Sequence, residues 1–303
     1  MPHSEEAQSK VRVAVATDSN SGITQLQGEH NGISVIPMPC LIDGEEFFED
    51  ISITREEFFR RLEQDADVQT SQPSPEALTT LWDRLLETYE GVVYIPMSGG
   101  LSGSVQTALV LAEDYDGRVQ VVDNHRISVT MKQSVLEAKA LAEMGWDAKA
   151  IRDFLMLHAY DASIYIAVDT LKYLKKGGRV TAAGAALGSL LNIKPILQIQ
   201  GEKLDAYAKV RGMKQAQEKM LQAVEKDMKE RFAGCKMQIK GAYTCDDATA
   251  EQWRQIIAAR FPDHTVSVDP LALSISCHIG FGAQAIVCMK VQEETGELPF
   301  ELK

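Results

Sequence analysis

VVYIPMSGGLSGSVQTALVLAE, residues 92–113, carries the architectural unit of the chain. Residues 92–97 are a continuous apolar run and read as a strand buried on both faces; 98–104 form a glycine–serine loop, and 105–113 read as a helix. Outward from this unit the same alternation recurs. Residues 11–17 form another apolar strand, closed by the polar turn Asp18-Ser19-Asn20-Ser21-Gly22, and 33–42 read as a further strand. Thr54-Arg55-Glu56-Glu57 has the form of a capping box, with Phe58, Phe59 and Leu62 on the apolar face of the helix it opens. Ser74-Pro75-Glu76 supplies an N-cap, a first-turn proline and an acid for a helix reaching about residue 87. A strand at 119–123 and helices near 134–143 and 148–157 follow. Strands alternating with helices predict a parallel sheet with helices on both faces.

A second block begins with a strand at 163–168. A short helix around Leu171, Tyr173 and Leu174 is stopped by Gly177-Gly178, and a single Arg179 follows. Next come a helix of small residues (Ala182, Ala183, Gly184, Ala185, Ala186, Gly188) and an apolar strand at 193–199. Helices at 213–232 and 249–260 and strands near 237–244, 266–268 and 283–291 complete the block. The expected class is α/β: a disordered lead-in over 1–10, an N-terminal α/β domain over 11–162 and a C-terminal α/β domain over 163–303.

Composition narrows the function. At 303 residues, 45% hydrophobic and 24% charged, the chain reads as a globular protein of two domains. A net charge of −12 argues against general affinity for nucleic acid or anionic membranes. No apolar run approaches membrane-spanning length, so stable membrane insertion is not expected, and the acidic N-terminus has no signal-peptide core. Five cysteines, odd in number and without CxxC spacing, fit unpaired thiols in a reducing cytoplasm.

Four polar clusters lie at the ends of predicted elements. Thr70-Ser71-Gln72-Pro73-Ser74 precedes a helix, where ordinary capping accounts for Ser74 and requires nothing of Thr70. Ser98 to Ser104 places hydroxyls and backbone N–H groups between a strand and a helix, which suits a carboxylate or phosphate or simply a capped turn. It lacks the Gly-Lys-Ser/Thr ending of a P-loop and the second glycine of a hydrolase elbow. Arg179 is placed to meet an anion or to be solvated. The last cluster, Cys277-His278-Ile279-Gly280-Phe281-Gly282, lies too near the end of the chain for a dinucleotide-binding unit. Read as a strand, it points Cys277 and His278 to opposite faces, so they do not form a nucleophile–base pair. No metal-ligand spacing is present, and no cofactor is expected.

Together these clusters resemble the DegV family of bacterial fatty-acid-binding proteins across nearly the whole chain. The markers are Thr17-Asp18-Ser19, Thr70-Ser71-Gln72-Pro73, Ser98-Gly99-Gly100-Leu101-Ser102-Gly103 and Leu174-Lys175-Lys176-Gly177-Gly178-Arg179. Leu191-Asn192-Ile193-Lys194-Pro195-Ile196, Lys209-Val210-Arg211-Gly212 and His278-Ile279-Gly280-Phe281-Gly282 continue them in the family's order. The resemblance implies two α/β domains holding one long-chain fatty acid, with Thr70, Ser102, Arg179 and His278 on its carboxylate. Ser98, Gly99 and Gly103 are weaker candidates. In the subgroup that serves as fatty-acid-kinase binding subunits, the carboxylate is presented to a partner kinase for phosphorylation in phospholipid metabolism, and Arg211 falls on a kinase-docking position. The chain departs from the family pattern at Gly99 (usually Ser), Phe281 (usually Pro), Ser21-Gly22 and Asn124-His125.

The chemistry suits a lipid acid. A buried carboxylate requires donors, and two hydroxyls, a loop amide near Ser102, a guanidinium and an imidazole supply them; a charged neighbour would favour protonated His278. The tail requires only apolar volume, at about 0.8 kcal/mol per CH₂. Residues 33–36, 164–168 and 193–199 are candidate tunnel walls, as is the small-residue helix. The expected protein is therefore a carrier rather than an enzyme. The alternatives are a serine hydrolase or acyltransferase using Ser102 and His278, with Asp18 as its orienting acid, or a lipid-occupancy sensor.

Overall fold

The computed structural model describes residues 12–186, 192–200, 203–298 and 302, so the lead-in expected over 1–10 lies outside the described residues. The first half contains β1 (Val13–Asp18), α1 (Gln25–Asn31), β2 (Ile33–Ile36), β3 (Pro39–Ile42), β4 (Glu45–Phe48), α2 (Arg55–Glu63) and β5 (Val68–Thr70). It continues with α3 (Pro75–Leu86), β6 (Gly91–Ile95), α4 (Ser104–Ala112), β7 (Val119–Val121), α5 (Ser128–Glu143) and α6 (Ala148–Leu157). β2, β1, β6 and β7 lie side by side in that order, all parallel. Successive strand residues face opposite sides, and both sides are apolar. Val13, Val15, Val93 and Ile95 pack under α5 and α6, while Ala14, Ala16, Val92 and Tyr94 pack under α3 and α4.

The single strand expected over 33–42 is two strands in two sheets. Pro37 has no N–H to extend the ladder of β2, and the chain turns there into β3. β3 is the centre of a small antiparallel sheet of order β4-β3-β5, a layer not foreseen from sequence, which α2 covers with Phe58, Phe59 and Leu62. Thr54 Oγ1 caps α2 at Glu57 N (3.3 Å), while the Glu57 carboxylate pairs with Arg60 and Arg61 rather than closing a capping box.

The second half contains β8 (Ala162–Ala167), α7 (Lys172–Gly177), α8 (Ala182–Ala186), β9 (Ile193–Ile199), β10 (Asp205–Arg211) and α9 (Met213–Glu230). It ends with β11 (Met237–Tyr243), α10 (Asp247–Arg260), β12 (Val268–Pro270), α11 (Leu273–Ile279) and β13 (Gln284–Lys290). Its sheet runs β10-β9-β8-β13-β11-β12 and is antiparallel except for β11 with β12. One face is buried under α9 and α10 through Met220, Val224, Trp253 and Ile257. The other face, with Ile164, Ile166, Ile199 and Val287, packs against α11 and against Leu101, Ile127, Val129 and Leu136 of the first half. One core thus joins the halves. Among the described residues no helix is long and apolar enough to cross a membrane.

Candidate functional site

Thr70 ends β5, Ser102 lies in the loop before α4, Arg179 follows the αL glycine that stops α7, and His278 stands on α11. Folding brings all four to one cavity of about 190 Å³. Gly103 also lines it; Ser98 and Gly99 do not. Ser98 is buried and closes its own loop, its Oγ accepting from Gly100 N at 3.2 Å. Gly99 N–H donates to Asp123 Oδ1 (3.0 Å), and a Cβ at Gly99 would lie 2.5 Å from Asp123 Oδ2. A carboxylate therefore fills the space a serine side chain would need there.

His278 is the hub. Its Nε2 lies 3.0 Å from Thr70 Oγ1. A Cβ at Gly177 would strike the imidazole, so glycine is what lets α7 approach α11 this closely. Burial, followed by the positive charge of Arg179, lowers the His278 pKa to about 4, leaving the ring neutral at pH 7. This reverses the protonated form expected from sequence, because the charged neighbour is a cation. Arg179 is itself anchored, Nε donating to Leu101 O at 3.3 Å and Nη1 to Gly177 O. Ser102 Oγ accepts from Ser104 N (3.2 Å), which leaves its proton to donate. The Ser102 amide itself donates to Ser98 O at 3.2 Å.

Two polar residues of the cavity escaped the sequence reading. Asn20 Nδ2 donates to Asp18 Oδ1 (2.7 Å), and Asn20 Oδ1 accepts from Ser274 Oγ (2.6 Å); Asn20 and Ser274 both line the cavity. The polar turn after β1 signalled Asn20, but nothing local signalled Ser274, which lies one turn before His278. Asp18 is fully buried, accepts from the Met97 amide (3.0 Å) as well, and has its pKa raised to about 6 by desolvation. Its hydrogen bonds run to Asn20 and Met97, so it is not the orienting acid of a Ser102–His278 triad. Cys277 and His278 lie on a helix, not the strand expected; at its start Leu273 N–H donates to Glu49 Oε2 (2.9 Å).

The polar cavity adjoins an apolar one of about 50 Å³, and Ile127, Leu204, Ile275 and Ile279 line both. Ile164, Ile166 and Ile199 of the expected tunnel walls line the apolar cavity. Ile33 and Ile36 do not; they belong to the cores of the parallel sheet. Nor does any of Ala182–Ala186 line either cavity, since Gly184 packs toward Leu197 and Leu204 instead; Gly188 lies outside the described residues. On the outer side, Thr70, Arg179 and His278 face a cavity of about 330 Å³ carrying the Lys172–Asp65 (2.7 Å) and Lys176–Asp67 ion pairs. Thr70, Arg179 and His278 therefore stand between an ionic vestibule and the apolar interior. Arg211 lies elsewhere, exposed at the end of edge strand β10.

The chain matches the profile of the DegV family, described as uncharacterised proteins, over residues 12–291. It belongs to the DegV family. A DegV domain-containing protein of Listeria monocytogenes is 31% identical over 279 residues, covering 90% of this chain and 96% of that one. The solved structure of a DegV family protein from Thermus thermophilus, described by its fatty acid binding, aligns with TM-score 0.84 and 32% identity over 92% of this chain and 100% of its own. The fatty-acid-binding DegV of Bacillus subtilis aligns with TM-score 0.81 and 25% identity over 92% of this chain and 99% of its own. Among this chain's departures from the DegV pattern, Phe281 does not line the cavities described above. Its half-exposed ring packs edge-on against Phe59 of α2, with centroids 5.3 Å apart.

Proposed function

We propose that this protein binds one long-chain fatty acid between an N-terminal domain (11–162) and a C-terminal domain (163–303). The tail enters at the apolar cavity, which widens to take a long chain, and the carboxylate meets Thr70, Ser102, Arg179 and His278. The observation that carries this reading is the adjacency of a donor-lined cavity and an apolar one that share four aliphatic wall residues. Fatty acid binding by the Thermus and Bacillus relatives supports it. An anion there gains from Arg179 and the hydroxyls, each charge-assisted bond contributing roughly 1.5–3 kcal/mol. The bound carboxylate also offsets the cation beside His278, so the ring becomes a better proton acceptor once the ligand is in place.

The protein acts as a carrier that presents the acyl carboxylate to a partner kinase in the cytoplasm. The resemblance to kinase-binding subunits supports this step, as does the vestibule that reaches Thr70, Arg179 and His278 from outside. Arg211 is assigned to partner docking; its exposure at a sheet edge fits contact with protein rather than lipid. Mass spectrometry of lipid extracted from the purified protein, followed by titration of the delipidated protein with palmitate and oleate, tests the binding. An empty protein that takes up neither acid overturns it. ATP-dependent formation of acyl phosphate by an acyl kinase, dependent on this protein and weakened in Arg211→Ala, tests the presentation.

A further inference from the structure

Two thiols from opposite halves of the chain meet beneath the head-group residues. Cys40 on β3 and Cys277 on α11 are both buried, and their sulfurs lie 3.3 Å apart. Cys40 is paired in register with Thr70 on β5, and Cys277 precedes His278, so the contact underlies the Thr70–His278 pair. The surroundings, Ile42, Phe58 and Leu273, are apolar. Cys277 also lines the outer cavity of about 330 Å³, whereas Cys40 does not. Cys277, although buried, thus borders a space that a solute as small as hydrogen peroxide can enter. To reach bonding distance the sulfurs close by about 1.3 Å, within the range of small side-chain rotations.

We propose that Cys40 and Cys277 are a peroxide-oxidisable pair whose disulfide staples β3 to α11 and holds the head-group site closed. The Cys277 sulfur attacks one oxygen of hydrogen peroxide, the O–O bond breaks, and the departing hydroxide leaves as water with the thiol proton. The Cys40 sulfur then attacks the Cys277 sulfenic acid, the S–O bond breaks, and a second water leaves with the Cys40 proton. Two thiols are oxidised by two electrons and one peroxide is reduced to two waters. Burial pushes the Cys277 thiol above its usual range, which makes the pair slow and suits it to sustained rather than transient peroxide. The effect on ligand exchange rests on the carboxylate-site reading; formation of the bond does not.

The test uses the full chain carrying Cys235→Ser, because Cys235 is exposed and would cross-link molecules. After peroxide treatment the expected protein is lighter by two hydrogens, yields a peptide joining Cys40 to Cys277, and reverts with dithiothreitol. Cys40→Ser and Cys277→Ser each abolish that loss; Cys40→Ala serves if the serine disturbs folding. Release of a fluorescent long-chain fatty acid slows about fivefold or more in the oxidised protein and recovers on reduction. Oxygen added to single cysteines without a linked peptide, or a bridge to Cys245 or Cys288, overturns the pairing. A correct bridge with unchanged release overturns the closure. A correct bridge in a protein that binds no fatty acid refutes the binding reading and leaves the pairing standing.

Discussion

Thr70 Oγ1 and His278 Nε2, 208 positions apart in sequence, lie 3.0 Å apart across the join between the small three-stranded sheet and α11. This pair links the first half of the chain to the second at the place assigned to the ligand's head group. Because the imidazole is neutral there, the pair shares a single proton and keeps both polar atoms satisfied in the empty protein.

Replacing Thr70 with Val keeps the shape and removes the hydroxyl. Fatty acid affinity is expected to fall about tenfold, and His278→Gln is expected to cost more, on the order of tenfold to a hundredfold. Titration calorimetry on delipidated protein measures both. Unchanged affinity in the two variants would remove the pair from the site.

Gly177→Ala places a methyl group against the His278 ring. The expected result is weaker ligand binding with near-native circular dichroism, since the clash falls on one side chain and the end of a short helix. A variant that binds as tightly as the parent would show that the α7–α11 approach is not needed for the site.

Gly99→Ser restores the residue usual in the family yet collides with Asp123 Oδ2 at 2.5 Å and disturbs the bond from Gly99 N–H. We expect it to destabilise the protein by about 1–3 kcal/mol, and Gly99→Ser combined with Asp123→Ser to recover much of the loss. Urea unfolding of the three variants reads the coupling. Additive effects would mean that the two positions are independent.

Glu49 and His278 make the stability depend on pH in opposite directions. Burial raises the Glu49 pKa from its ordinary 4.5 to about 7, so the fold binds a proton that the unfolded chain releases. That stabilisation is complete below pH 4.5 and is lost as pH rises through 7. Glu49→Gln keeps an acceptor for Leu273 N–H without the charge, so it is expected to be more stable than the parent at pH 8, with little difference near pH 4.5. For His278, lowered from 6.5 to about 4, the neutral folded form contributes above 6.5 and its contribution is lost as pH falls toward 4. Unfolding curves for Glu49→Gln and His278→Gln across that range separate the two. A Glu49→Gln variant less stable than the parent at pH 8 would contradict the burial argument.

Much of this protein is legible in its sequence, because strand burial and helix capping are local. The apolar run over 92–97 and the capping of α3 by Ser74 with Pro75 behind it required no knowledge of distant residues. The family markers likewise singled out Thr70, Ser102, Arg179 and His278, which the fold brings to one cavity. What failed depended on neighbours remote in sequence. The run over 33–42 is apolar apart from Ser34, and although Pro37 marks the break, the run's two different sheet partners decide that it is two strands. Cys277 and His278 read as strand neighbours, and only the fold shows them on a helix whose first amide, Leu273, meets the carboxylate of Glu49, 224 positions away.

The sequence by itself therefore determined the α/β class and the β6–α4 unit, through periodicity and caps, and its family motifs singled out four residues that share one cavity. Tertiary structure alone decided the protonation of His278, the partnership of Asn20 with Ser274, the carboxylate behind Gly99 and the meeting of Cys40 with Cys277. Desolvation, charge proximity and steric contact act through space, and residues from 24 to 254 positions apart set them.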